Sequence, residues 1–233
     1  MKVQRLRFRF RITPAALELS RGDIVDAWVE AAKAAGLPLS YSAGKRETAQ
    51  VALAAPLPQG VTSDWELLDI FLSATVEPKG ALAGLKQHLP EGIELTAVEP
   101  VGVNAPAVQA SLRWAEYEVD IPAEGQTEAD VRGKIEALLA ADTFPAEHRR
   151  EKKVREYDLR PLVIAIQLCG EVDGAYRLRM RLKAEQDNTA RADQTALAIG
   201  LPEPSRVHRL RLEVEETPAA IQAFRRHGER EDR

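Results

Sequence analysis

"RLRFRFRI", residues 5–12, places arginine at every second position (Arg5, Arg7, Arg9, Arg11) and an apolar residue between each pair (Leu6, Phe8, Phe10, Ile12). Successive side chains of a strand point to opposite faces, so this alternation predicts a half-buried β-strand. One of its faces belongs to a core. The other carries four guanidinium groups, and the rest of the chain decides what they meet.

Outward from that strand the pattern turns helical. "LELSRGDIVDAWVEAAKAAG" opens with Ser20 and, three residues on, Asp23, which read as a capping pair. Ile24, Trp28, Ala31, Ala32 and Ala35 then recur at helical spacing, and Gly36 with Pro38 ends the helix. "LPLSYS" reads as a second strand, and "QVALAAPLPQGVTSDWELLDIFLS" as an extended segment, a Pro/Gly-rich interruption and a third strand. "EPKGALAGLKQHLP" supplies a second helix and "GIELTAVEPV" a fourth strand. The order βαββαβ is that of a ferredoxin-like unit.

After the aperiodic linker "GVNAPAVQA" the order repeats. The strand "SLRWAEYEVDIP" sets Ala115, Tyr117, Val119 and Ile121 against Trp114, Glu116, Glu118 and Asp120. "TEADVRGKIEALLAAD" is a helix opened by Thr127 with Asp130, and the basic stretch "HRREKKVREYD" reads as a solvated connection. The strands "LRPLVIAIQLCG" and "YRLRMRLK" follow, then the helix "RADQTALAIGL" and the strand "SRVHRLRLEVE". The sequence thus predicts an α+β fold of two tandem ferredoxin-like (βαββαβ) units with largely antiparallel sheets. The first spans 1–104, the second 105–217, and a charged, disordered tail occupies 218–233. Between strands two and three of the second unit, a loop Val172-Asp173-Gly174 with a bulge at Gly174 is preferred over a two-residue turn. It pairs Ile164, Ile166 and Leu168 with Leu182, Met180 and Leu178.

Composition narrows the class of function. The 233 residues are 45% hydrophobic and 29% charged, with a net charge of −4, which argues against a general polyanion binder and leaves room for a local basic patch. Cys169 is the only cysteine, so a disulfide framework, a four-cysteine zinc site or an iron–sulfur cluster built by this chain is excluded. The alternating N-terminus is unlike a signal peptide and no apolar run reaches membrane length, so a soluble cytoplasmic protein is expected. Neither GxxxxGK[ST] nor GxGxxG occurs, and the four histidines (His88, His148, His208, His227) lack HxH or HExxH spacing. No cofactor, metal or catalytic residue is assigned.

In a ferredoxin-like unit the first strand lies between the third and fourth, with both helices on one face. Leu6, Phe8, Phe10 and Ile12 then meet the helices, and the arginines line the free face. In the second unit Glu116, Glu118 and Asp120 oppose Arg177, Arg179 and Arg181 on one side and Arg209 and Arg211 on the other. This forms a self-neutralising ladder worth about 0.2–1 kcal/mol per pair. The first unit offers fewer acids, namely Glu94 and, depending on register, Asp69 or Glu66. Its arginines are therefore expected to be incompletely paired and to attract an anion, an acidic partner or the other unit. Burial of Phe8 and Phe10 removes the aromatics with which open sheets of this kind stack on RNA, and so counts against RNA.

The stretches "KVQRLRFRF", "AAKAAGLPLSYSAG", "ALAAPLPQGVTSDWELLDI", "AEYEV" and "YDLRPL" resemble, in order and spacing, the radical-SAM-linked proteins, a bacterial domain of unknown function. "ARADQTALAIGL" followed by "RVHRLRLEVE" extends the resemblance to about residue 216. It implies an accessory or substrate-handling role beside a radical SAM enzyme that owns the cluster, with RNA a substrate by analogy. Two departures replace histidine with cations. Ser20-Arg21-Gly22-Asp23 stands where the family tends to have Ser-His-Leu-Asp, and Gly44-Lys45-Arg46-Glu47-Thr48-Ala49 where it tends to have Gly-Phe-Asn-Pro-His-Pro. A titratable group is exchanged for permanent charge.

The residues thus point first to a non-catalytic binding protein. It would present Arg5, Arg7, Arg9, Arg11, Arg21, Lys45 and Arg46 to an anionic substrate, RNA among the candidates, or to an acidic partner, in company with a radical SAM enzyme. The alternative is an enzyme in its own right, with Asp23 or Asp69 as the working carboxylate and arginines positioning an anionic substrate.

Overall fold

The computed structural model describes residues 1–44, 47–150 and 153–215, with the backbone alone at 148–150 and 153–155. Lys45, Arg46 and the predicted tail lie outside the described residues. The fold is α+β. Among the described residues there are four α-helices, and the strands pair largely antiparallel. The described residues divide into two compact units, one of residues up to 112 together with Val214 and Glu215, the other within 113–213.

In the first unit β1 (Gln4–Ile12) pairs with β3 (Thr62–Leu72) on one side and β4 (Ile93–Val101) on the other, and β2 (Val51–Leu53) pairs with β3. Within this unit the order is β4-β1-β3, with the short β2 paired to β3. Leu6, Phe8 and Phe10 have no exposed surface, as the alternation predicts. Their cover is α1 (Arg21–Ala34), whose Trp28 packs tilted against Phe8 and edge-on to Phe10, with ring centroids 5.4 and 5.1 Å apart. Full burial of each such side chain contributes about 1.5–3 kcal/mol. The Ser20–Asp23 capping box forms as read, with each side chain receiving the other's backbone N–H. The second helix, α2 (Pro78–Lys86), buries Ala81 and Leu85. Gly92, at φ 91°, passes so close to the chain at Ala16 that a Cβ would sit 2.6 Å from Ala16 Cβ and N.

The second strand differs from the reading of "LPLSYS". That stretch makes only isolated bridges, Leu39 to Leu72 and Tyr41 to Ala49, and the continuous ladder on β3 is formed by Val51–Leu53. Pro38 O accepts from Ser73 N and Ser40 N donates to Phe71 O, and beyond Ser40 the bonding passes to Gln50, which receives the Phe71 N–H.

In the second unit the main sheet runs in the order β10-β5-β9-β8. Its strands are β5 (Leu112–Pro122), β8 (Val163–Val172), β9 (Ala175–Lys183) and β10 (Arg206–Val214). The helices are α3 (Glu128–Ala140), opened by the predicted Thr127–Asp130 box, and α4 (Ala192–Ala198). The basic stretch expected to be a loop is instead most of a separate hairpin, β6 (Pro145–Arg150) with β7 (Lys153–Asp158). Its run of charges, mixed in sign, has no apolar alternation to betray the pairing.

The turn between β8 and β9 also corrects the sequence reading. Val172 pairs directly with Ala175, so Asp173 (φ 50°) and Gly174 (φ 76°) form a two-residue turn with both centres left-handed. Parity is restored elsewhere, by a register shift between Leu168 and Gly170, where Gly170 sits at φ 117°. The pairs Ile166–Met180 and Leu168–Leu178 form as expected, whereas Val163, not Ile164, faces Leu182.

Candidate functional site

The arginine row splits in two along β1. At its start Arg5 is enclosed, with 1% of its side chain exposed, although it lies on the face away from α1. The connection that follows β4 folds over that end of the sheet. Its 3-10 turn, Val108–Ser111, packs on β2 and β3, and Gln109 donates to the Leu53 carbonyl at 2.7 Å. Arg5 Nη1 donates to Ala105 O at 2.8 Å and Nη2 to Pro106 O at 3.0 Å, while Nε donates to Asp69 at 3.0 Å. Asp69 is itself fully buried and also accepts from Arg7 Nε and Nη2, at 2.8 and 3.1 Å.

Arg5 and Arg7 are therefore matched within the chain, which corrects the expectation of an incompletely paired, open row. The register places Asp69 and Glu99 on either side of Arg7, and β3 also supplies Asp64, 3.8 Å from Arg11. The sequence did not reveal that the linker would close over Arg5, because nothing in a small aperiodic segment says where it lies.

The far end of the row is different. Arg9 lies over the ring of Trp65 at 4.1 Å and donates to Thr96 Oγ1 at 3.3 Å. Both Arg9 and Trp65 keep part of their surface exposed, and Arg11 is half exposed. The second unit repeats this: the partly exposed Trp114 of β5 has Arg181 over its ring at 4.5 Å and Arg211 at 6.0 Å. Guanidinium against indole is a favourable cation–π geometry, worth about 0.5–1 kcal/mol at exposed sites. Trp114 falls on the charged face by its alternation in the sequence. Trp65 was missed, because only the register of β1 on β3, with Arg9 opposite Leu67 and Phe10 opposite Glu66, puts it beside Arg9, and that register is not written in either strand.

The β9 side of the second unit's charge ladder forms as read, whereas on the β10 side Arg209 is buried and Arg211 pairs with Glu213 of its own strand. Glu116, Glu118 and Asp120 pair in register with Arg181, Arg179 and Arg177. Asp120 receives two hydrogen bonds from Arg177, at 2.7 and 2.9 Å, and these hold its carboxyl below the ordinary range.

The remaining candidates go elsewhere. Arg21 is exposed at the first position of α1, the helix on the opposite side of the sheet from the arginines, so it does not join the row. Asp23 is exposed and capping, its pKa lowered by the Ser20 hydroxyl and backbone N–H. Asp69 is consumed by two guanidiniums. Both carboxylates named for an enzyme thus have structural work in this fold. Among the described residues no cluster of three His, Cys, Asp or Glu side chains is arranged to hold a metal, and no helix is long and apolar enough to cross a membrane.

A cleft that sequence reasoning did not find lies in the second unit, with a volume of about 360 Å³. One wall is the stretch "YDLRPL" and the other the loop that leads from Gln186 into α4.

A family model described as "Uncharacterized protein conserved in bacteria (DUF2344)" matches residues 5–192. The chain belongs to this family. No curated protein matches it. In fold it is similar to a chain from the crystal structure of a Cbf5–Nop10–Gar1 complex, at 14% identity and a TM-score of 0.50, covering 88% of this chain and 48% of that one. A chain from an H/ACA RNP bound to a substrate RNA containing 2′-deoxyuridine also matches, at 14% identity, a TM-score of 0.44, and 88% and 47% coverage. This chain spans about half the length of each of those chains. At such identity the first likeness is one of fold.

Proposed function

We propose that this DUF2344 protein is a non-catalytic accessory or substrate-binding protein that holds single-stranded RNA on its open sheet faces, in the cytoplasm, for a radical SAM enzyme. The observation that carries the reading is the pairing of a partly exposed tryptophan with arginine in each unit, Arg9 on Trp65 and Arg181 on Trp114. Aromatic faces stack on any unpaired base, and neighbouring guanidiniums draw in the phosphates, so the two together are the ordinary equipment of single-strand binding. Arg9 and Arg11 are the cations of the original row that the reading retains as contacts. Arg5 and Arg7 tie β1 to β3 through Asp69, and Arg5 also holds the connection that covers that end of the sheet.

The reading treats the two units as tandem ferredoxin-like folds, the second carrying an inserted hairpin. The strand orders β4-β1-β3 and β10-β5-β9-β8 support this, each placing the unit's first strand between its third and fourth. The solved Cbf5–Nop10–Gar1 chain of similar fold comes from a complex that includes other proteins, and the H/ACA particle is bound to RNA. The first likeness is one of fold, and neither carries the RNA reading. The radical SAM partnership rests on the resemblance of the sequence stretches quoted above and on a lone cysteine, which leaves any cluster to the partner.

Titration of the full chain with a single-stranded RNA oligonucleotide, followed by tryptophan fluorescence, tests the binding. Quenching with an affinity that falls as salt rises from 50 to 200 mM is expected, because phosphate contacts release counterions. Absence of quenching overturns the reading. Affinity capture from native cell extract tests the partnership. A radical SAM enzyme retained with RNA supports it, and its absence from the captured proteins removes that half.

A further inference from the structure

We infer that the cleft of the second unit is a pocket for one unpaired nucleobase. The inference rests on the RNA reading for the polymer that would deliver the base, but the cleft's own chemistry selects the ligand class. Its two walls are stretches singled out by the sequence, "YDLRPL" (157–162) and the approach to "ARADQ" (190–194), and the family match includes nearly all of both. At about 360 Å³ the cleft falls in the range of small-molecule sites.

An anion is disfavoured there. Arg191 is the cation of the lining, and Asp193 engages it through two hydrogen bonds, Nε at 3.1 Å and Nη2 at 2.7 Å. Asp158 and Asp187 add negative charge to the walls. Burial pushes Asp193 upward, but the Arg191 hydrogen bonds and charge, helped by Gln194, outweigh it, so this carboxylate stays ionised and neutralises the arginine. A phosphate or carboxylate would meet a wall with more negative than positive charge.

A flat heterocycle with both donors and acceptors fits better. Leu162 and the Tyr157 ring offer apolar surface, and burial, aided by the Asp193 charge, raises the phenol's pKa, as expected of a group set in poorly hydrated surroundings. At the mouth Gln186 and Asn188 are exposed, each presenting an amide that donates and accepts at once, the pattern a base edge requires. The loop that carries them is held in place. Thr189 Oγ1 donates to Glu185 O at 2.5 Å, Ala190 N to Lys183 O at 3.1 Å, and Asp158 on the opposite wall accepts from the backbone of Phe144 and Arg160 at 2.7 and 3.0 Å. A pocket built on such fixed backbone needs little ordering when a ligand enters.

The test is amide chemical-shift titration of the full chain with each of the four ribonucleosides and, separately, with inorganic phosphate. At least one nucleoside is expected to shift the resonances of Leu162 and Asn188–Arg191 saturably, while phosphate leaves them in place. The double variant Gln186→Ala/Asn188→Ala, altered only at exposed loop side chains, is expected to weaken that nucleoside by about tenfold or more. Nucleosides that leave the cleft unshifted, shifts produced by phosphate instead, or unchanged affinity in the folded double variant would each overturn the inference. If RNA still quenches the tryptophans in that event, the sheet-face reading stands alone. If nucleosides fill the cleft while RNA fails to quench, the sheet-face reading is the one that fails.

Discussion

Replacing Asp69 by alanine removes the carboxylate that compensates two arginines at once. Arg7 is 12% exposed and can turn toward solvent, but Arg5 is 1% exposed and lies under the connection at Ala105 and Pro106. Without Asp69 its charge keeps only two carbonyl acceptors and gains no water. Removal of one partner of a buried pair costs about 3–5 kcal/mol. That is a large part of the roughly 5–15 kcal/mol that holds a domain folded. The assay is urea unfolding followed by the fluorescence of Trp28, packed on Phe8 and Phe10 in the same unit. The midpoint should fall sharply for Asp69→Ala, and Arg5→Met/Asp69→Leu, which removes the buried charge with its partner, should recover most of the loss. A cost for Asp69→Ala below about 1 kcal/mol, the value of an exposed ion pair, would refute the enclosure of Arg5.

Three further outcomes follow from particular residues. Gly92→Ala places a Cβ against backbone at Ala16 while holding φ at 91°, so it should destabilise the first unit by more than about 1 kcal/mol in the same urea assay. Asp120 titrates below its ordinary range because Arg177 bonds it, so its contribution is complete above the unfolded carboxylate's pKa of about 4 and is lost as pH falls below it. Thermal melts from pH 6 to pH 3 should therefore flatten in Asp120→Asn relative to the parent. Asp23→Ala should cost about 1 kcal/mol of stability, as a lost cap does, and leave RNA affinity unchanged; a loss of binding would give Asp23 a role the fold does not assign it.

Most of the fold was legible because local and global signals agree. The alternation of β1, the two capping boxes and the helical stripes each have one physical solution, and the structure adopts it. The errors lie where tertiary pairing overrides local pattern. Gln50 takes over from Ser40 the bonding to β3, so "LPLSYS" leaves the sheet after a single bridge, and a register shift between Leu168 and Gly170, outside the turn itself, sets the parity of β8. A hairpin made of charges gives no periodic signal. The site was less legible for the same reason. Which acids reach the arginines depends on register and on a linker's path, and neither is written in "RLRFRFRI" itself. Trp65 and the cleft walls are separated in sequence from what they meet, so only the folded chain brings them together.

The account depends most on indole rings lying open beside arginine on sheet faces that the helices leave uncovered. The direct measurement is the affinity of Trp65→Ala/Trp114→Ala for a single-stranded RNA oligonucleotide, read by anisotropy of a labelled RNA, against the parent chain. Base–aromatic stacking is worth about 1–3 kcal/mol per base, so binding should weaken by at least roughly tenfold in a variant that keeps the parent's melting behaviour. Equal affinity in the two proteins would contradict the account.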